Sequence, residues 1–147
     1  MKRYVVGFHF ARHGNLVTLI RKDHPEWQAG KLNGVGGEIV DGETSECAMR
    51  REFREETGAD IDSWKLFATL TDKDKSRFLV DFYWSTIEAS VESKTNEEVS
   101  RYATQDVIIG DEKTIANLPW MLLMALNDMN GVDNCARFEI TEMEWYR

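Results

Sequence analysis

Glu52, Glu55 and Glu56 fall within the run GEIVDGETSECAMRREFREETGA, residues 37–59. The stretch is rich in Ser, Glu, Ala, Met and Arg, which predicts a helix from about Thr44, a good N-cap, to about Thr57. Gly58 follows as its terminator. At roughly 100° per residue the three carboxylates share one face, with Ala48 among them and Met49 and Phe53 as an apolar stripe beside them. Three anions on one turn repel, and only Arg51, four residues before Glu55, is placed to offset them. Divalent cations complete such a cluster, because carboxylate oxygens are hard ligands suited to Mg²⁺ or Mn²⁺. The plainer reading is an acidic, solvated helix face.

The spacing around the three glutamates is more specific. Gly37 is followed after five residues by Glu43 and after seven more by Arg51-Glu52, then Phe53, Glu55-Glu56, Gly58 and Ala59. This pattern, G-x5-E-x7-R-E-U-x-E-E-x-G-U with U a bulky apolar residue, resembles the signature of the Nudix hydrolases at every fixed position. Ala59, smaller than the usual aliphatic, is the one soft departure. The resemblance implies an α/β/α sandwich with a mixed β-sheet, built as a single domain over residues 1–147. It implies hydrolysis of a phosphoanhydride in a nucleoside diphosphate linked to another group, with Mg²⁺ (or Mn²⁺) as cofactor. Glu52, Glu55 and Glu56 then hold the metals, and Gly37 offers its backbone carbonyl as a further ligand. Glu52 or a nearby carboxylate helps deprotonate the attacking water, Arg51 holds the carboxylates in place, and Glu43 packs the loop onto the helix. Family members often add a carboxylate from a loop across the site. Glu97 and Glu98 are the candidates here, and Glu98 is preferred as catalytic residue and metal ligand. A solvated acidic loop is the alternative.

Substrate recognition rests on smaller signals. Asn33 in KLNGVGG resembles a segment of the nucleoside-triphosphate branch of the family, as does Asn117-Leu118-Pro119, the Asn-x-Pro at the start of the last helix in MutT-type enzymes. An Asn amide carries both donor and acceptor, which reading a purine edge requires. The bland alternatives are a turn residue at Asn33 and a helix N-cap at Asn117. Lys22 sits where MutT-type enzymes place a phosphate-binding cation, with Arg21 equally plausible. Trp27 can stack on a base or lie over the core. His9, between Phe8 and Phe10, reads as structural; His24 is a minor substrate-contact candidate. The expected reaction is Mg²⁺-dependent hydrolysis of a purine deoxynucleoside triphosphate, an oxidised one among the candidates, to monophosphate and pyrophosphate. Dinucleoside polyphosphates, ADP-ribose or a nucleotide sugar are alternative substrates. A nucleotide-sensing module without turnover is disfavoured, since all three box carboxylates are retained.

The rest of the chain must position these residues. Its 147 residues, 42% hydrophobic and 30% charged, suit one domain with a proper core. A net charge of −8 disfavours binding to polymeric nucleic acid. Cys47 and Cys135 lack metal-ligand spacing and read as reduced thiols, and no membrane-length apolar run is present, so a cytoplasmic protein is expected, monomer or homodimer. Residues 3–10 and 16–22 predict a hairpin, and residues 23–40 a Gly-rich loop ending in a short strand at about 38–40. Strands are expected at 61–70, 77–87 and about 101–109, with a turn at 72–76 and a polar loop at 89–100. A second helix at about 118–129, apolar nearly all round, should be buried against the sheet, and FEITEMEW should form a final strand bulged between Ile140 and Met143.

Overall fold

The strand β1, Lys2–Ala11, is the axis of the molecule. The structure is a computed structural model that describes residues 1–131 and the strand at 138–141. Alternation along β1 sends Phe8 and Phe10 into one core, and Val5 into a second on the opposite face. The first core is closed by α3 (Leu118–Met129) and the second by α1 (Ser45–Thr57). The result is the expected α/β/α sandwich around a mixed sheet.

Among the described residues that sheet has eight strands: β1, β2 (Leu16–Arg21), β3 (Leu32–Asn33), β4 (Val35–Glu38), β5 (Lys65–Thr71), β6 (Phe78–Ser85), β7 (Glu98–Ala103) and β8 (Phe138–Thr141). The order is β3-β2-β1-β6-β5-β8, with β4 paired to β1 and β7 to β2. β1 runs parallel to β6 and β5 parallel to β8, and the remaining pairs are antiparallel, including the predicted β1–β2 hairpin.

α1 begins and ends as its sequence predicts. Thr44 Oγ1 accepts from Cys47 N at 3.2 Å, and Gly58 closes the helix at φ 78° with its N–H on Arg54 O. Ala48, Met49, Phe53 and Thr57 form the buried stripe. A Cβ built on Gly7 of β1 would strike the Met49 side chain, so this glycine lets α1 lie close to the sheet.

Four expectations change, the first being that the strand expected at 61–70 begins only at Lys65, as β5. The short strand expected at 38–40 lies earlier, as β4. The strand expected over 101–109 ends at Ala103 and gives way to α2, Thr104–Ile109. Val107-Ile108-Ile109 favours a strand by propensity, but tertiary contacts override it. Thr104 donates its hydroxyl to Gly14 O at 2.7 Å and its N–H to Asn15 O at 2.9 Å, turning the chain off the β2 edge. Gly110, at φ 93°, then ends the turn of helix that buries Val107. Finally, α3 buries one face only, through Leu118, Met121, Leu122 and Ala125, and leaves Leu123 46% exposed. Cys135 and Met143, with the bulge expected before it, lie outside the described residues.

Candidate active site

On the exposed side of α1 the guanidinium of Arg51 uses all five of its N–H donors. Nε and Nη2 grip Glu43 at 2.8 and 3.0 Å, and Nη1 reaches Glu52 at 2.7 Å and Glu55 at 3.2 Å. The second Nη2 hydrogen lies on the carbonyl of Glu38 at 3.0 Å. One side chain therefore ties the end of β4, the loop after it and two of the three box glutamates into a single unit. Its hydrogen bonds hold the Glu43 carboxyl below the usual carboxylate range.

Glu52 is the least solvated of the three. Burial pushes its carboxyl above the usual range, Arg51 opposes that, and Glu55 and Glu56 add to it. A Cβ built on Gly37 would fall on the Glu52 carboxylate, so only glycine lets this backbone lie against that group. Glu55 is exposed and, among the described residues, held by Arg51 alone. Glu56 is half-buried and accepts from Thr95 Oγ1 at 3.0 Å. Carboxylate oxygens are hard donors of the kind a divalent ion takes. Glu52 and Glu55 meet at Arg51 while Glu56 stands apart on Thr95. Among the described residues, the group whose ligand atoms all lie within 4.8 Å of one another is Asp23, His24 and Glu97.

Glu52, Glu56 and Gly37 line one end of a cavity of about 710 Å³. Tyr4, Val6, Val80 and Phe82 give it an apolar lining, and Trp27, Gln28, Asn33, Ile115 and Asn117 also border it. β4 can edge this space because it has almost no side chains here; a Cβ on Gly36 would collide with the Val5 carbonyl.

Asn117 is 2% exposed, and its Nδ2 has no hydrogen-bond partner among the described residues. Its side chain does not cap α3, so the capping alternative is not what the structure contains. Asn33 also borders the cavity, with Nδ2 on Gln28 Oε1 at 3.3 Å and Oδ1 accepting from Gly34 N at 2.7 Å. Lys22 lies in the lining, while Arg21 turns away to Gly30 O and Glu112. Trp27 is 37% exposed at the cavity rather than over the core. His9 is structural: Nε2 donates to Ile87 O at 2.7 Å, Nδ1 accepts from Thr18 Oγ1 at 3.0 Å, and the ring meets Phe53 edge-on.

Glu97, and not the preferred Glu98, borders the cavity. Glu98 is exposed, paired with Arg21 in the β2–β7 register and absent from the cavity lining. Glu97 is 3% exposed and lines the cavity, accepting from Lys22 Nζ at 2.9 Å and Asp23 N at 2.7 Å. The available signal was the two-residue period: Glu97 shares its face with buried Val99. Asp23, His24 and Thr95, which sequence reasoning did not single out as site residues or gave little weight, gather at this end as well. Asp23 and His24 contact each other, and His24 Nδ1 lies 3.7 Å from Glu97.

The NUDIX domain family model matches residues 2–139. No curated protein matches the sequence significantly. Among solved structures, the MutT protein of Bacillus halodurans is similar over 100% of this chain and 94% of its own, at TM-score 0.71 and 16% identity. The NUDIX domain of Shewanella oneidensis NrtR, complexed with ADP-ribose, is similar at TM-score 0.72 and 16% identity, covering 86% of this chain and 87% of its own. A Nudix hydrolase of Nitrosomonas europaea aligns at TM-score 0.72 and 17% identity, over 96% of this chain and 79% of its own. Identities this low establish a common fold and nothing finer.

Proposed function

This chain belongs to the NUDIX domain family, and from that premise we propose that it hydrolyses a nucleoside triphosphate, a purine deoxynucleotide by first choice, to monophosphate and pyrophosphate with Mg²⁺. One observation carries the choice of substrate: a buried amide donor at Asn117, without a partner among the described residues, borders the same cavity as Glu52 and Glu56. A buried donor without a partner is costly, and a ligand acceptor would satisfy it. A purine edge supplies such an acceptor, and the apolar lining of Tyr4, Val6, Val80 and Phe82 suits the ring itself.

In this reading Glu52, Glu55, Glu56 and the Gly37 carbonyl hold divalent ions. Bound there, such ions neutralise the polyphosphate and acidify an attacking water. Glu52 or a neighbouring carboxylate takes the proton of that water. Arg51 keeps Glu52 and Glu55 in place, Lys22 faces the phosphates, and Asn33 and Asn117 border the base. Glu97 replaces Glu98 as the carboxylate contributed from across the cavity.

Release of phosphate and pyrophosphate is to be measured over a panel of nucleoside triphosphates, dinucleoside polyphosphates, ADP-ribose and nucleotide sugars, with Mg²⁺ and with chelator. Pyrophosphate released from purine triphosphates, only with metal, is the expected result. Turnover restricted to dinucleoside polyphosphates, ADP-ribose or nucleotide sugars would defeat the triphosphatase reading. Binding without turnover of any substrate would leave a sensing module.

A further inference from the structure

Arg51 holds Glu52 and Glu55, but it cannot hold Glu56. All five of its N–H groups are committed to Glu43, Glu52, Glu55 and the Glu38 carbonyl. Glu56 has to be oriented from elsewhere, and its carboxylate has one hydrogen-bond donor among the described residues, the hydroxyl of Thr95 at 3.0 Å. That hydroxyl is oriented in turn: Thr95 Oγ1 accepts the backbone N–H of Glu97 at 3.2 Å. A hydroxyl has one hydrogen to give, and an acceptor site filled by the Glu97 amide leaves that hydrogen free to point at Glu56.

The segment carrying Thr95 is itself fixed to the last turn of α1. Lys94 N donates to Glu56 O and Glu92 N to Thr57 O, both at 3.1 Å. The Glu97 carboxylate, two residues on, binds Lys22 and the backbone of Asp23. Thr95 therefore stands where three pieces meet: the last turn of α1, the segment crossing it and the loop after β2.

We infer that Thr95 is a positioning residue of the metal site, holding the Glu56 carboxylate in its ligating orientation and keying it to Glu97. The inference rests on the reading of Glu56 as a metal ligand. Groups that hold a ligating carboxylate through a hydrogen bond typically contribute about 10- to 100-fold in metal affinity. Thr95 lies at the exposed surface, so its hydroxyl can be removed without opening a cavity in either core.

The test compares Thr95→Val, Thr95→Ser and Glu56→Gln in the full chain. Mn²⁺ binding is measured by electron paramagnetic resonance without nucleotide, the Mg²⁺ dependence of turnover is measured in parallel, and melting temperatures monitor the fold. Thr95→Val should weaken Mn²⁺ binding about tenfold and raise the Mg²⁺ half-activation concentration by a similar factor, with kcat at saturating Mg²⁺ and Tm near wild type. Thr95→Ser, which keeps the hydroxyl, should restore both. Wild-type Mn²⁺ affinity in Thr95→Val, with Glu56→Gln weakened, would overturn the role of Thr95 and leave Glu56 as a ligand. Equal weakening in the Ser and Val variants would likewise overturn it, because the hydroxyl would then not be the cause. Wild-type affinity in Glu56→Gln would remove Glu56 from the metal site, and the inference would fall with it.

Discussion

Replacing Arg51 with Ala tests whether one guanidinium assembles the carboxylate site. In the wild type its side chain is 24% exposed, and those of Glu43 and Glu52 are 13% and 12% exposed. Removing one partner of a fully buried ion pair costs about 3–5 kcal/mol. These pairs keep some solvent, so about 2–3 kcal/mol for Glu43 and Glu52 together is the better figure. The Glu38 carbonyl adds about 1 kcal/mol, and Glu55, 55% exposed, adds next to nothing. A loss of about 3–4 kcal/mol lowers Tm by roughly 10 °C in a protein of this size. The measurement is a thermal melt of wild type, Arg51→Lys and Arg51→Ala, each with chelator and with Mg²⁺. Lysine keeps the charge without the planar fork, so it should fall between the other two. Mg²⁺ should narrow the gap between Ala and wild type, because cations then take over the orphaned carboxylates. A Tm within 2 °C of wild type in chelator would show that Arg51 does not organise the site. A gap that Mg²⁺ leaves unchanged would show that these glutamates do not share a metal.

Four further outcomes follow from the same geometry. Glu55→Gln should leave Tm within a degree or so, since Glu55 is exposed, and lower kcat by at least 100-fold; wild-type turnover would refute the metal assignment. Asn117→Ala should raise KM for purine triphosphates by about 10- to 100-fold, and pyrimidines less, corresponding to about 1–3 kcal/mol of base discrimination. Its stability should hardly fall, because the amide Nδ2 has no partner to lose, and an equal KM effect on both base classes would remove Asn117 from base reading. Glu97→Gln should impair activity and Glu98→Gln should not, and the reverse result in a kcat/KM comparison would restore Glu98 as the cross-cavity carboxylate. Burial lowers the pKa of His9 below its ordinary 6.5, so the unfolded chain takes up that proton first as the pH drops. Stability should therefore decline from about pH 6.5 downward, and Tm measured from pH 7.5 to 5 should fall less steeply in His9→Gln than in wild type.

The two ends of the cavity differ in how far the sequence discloses them. α1 is written locally: Thr44 caps Cys47 N, Gly58 ends the helix, and Arg51 finds Glu43, Glu52 and Glu55 within eight residues of itself. Periodicity and capping rules read contacts of that range well. The rest of the cavity draws on Tyr4, Trp27, Asn33, Phe82 and Asn117, which the fold brings together from most of the chain. Asn117 could be named from its resemblance to family members, but nothing near it in sequence reveals that its amide is left without a partner. The strand expected over 101–109 failed for a related reason. Val107-Ile108-Ile109 carries a strand preference, and the contacts that overrule it are to Gly14 and Asn15, ninety residues away.

The acidic segment after β6 shows how a polar stretch can be structural. Read alone, residues 89–97 are a solvated loop, few of them apolar. The end of α1, however, leaves backbone carbonyls that need donors, and Gly58 N–H satisfies only that of Arg54. Glu92 N and Lys94 N supply Thr57 O and Glu56 O, and the Lys94 side chain packs over Gly58. Satisfying the helix end therefore fixes the path of this segment. That path delivers Thr95 to Glu56 and Glu97 to the cavity, the one as hydroxyl donor and the other as buried carboxylate. The spacing from Lys94 to Glu97 matters more here than net polarity. A single residue inserted between them would leave Glu97 and Val99 on one face but break the spacing by which the contacts of Glu92 N and Lys94 N with the end of α1 place Glu97.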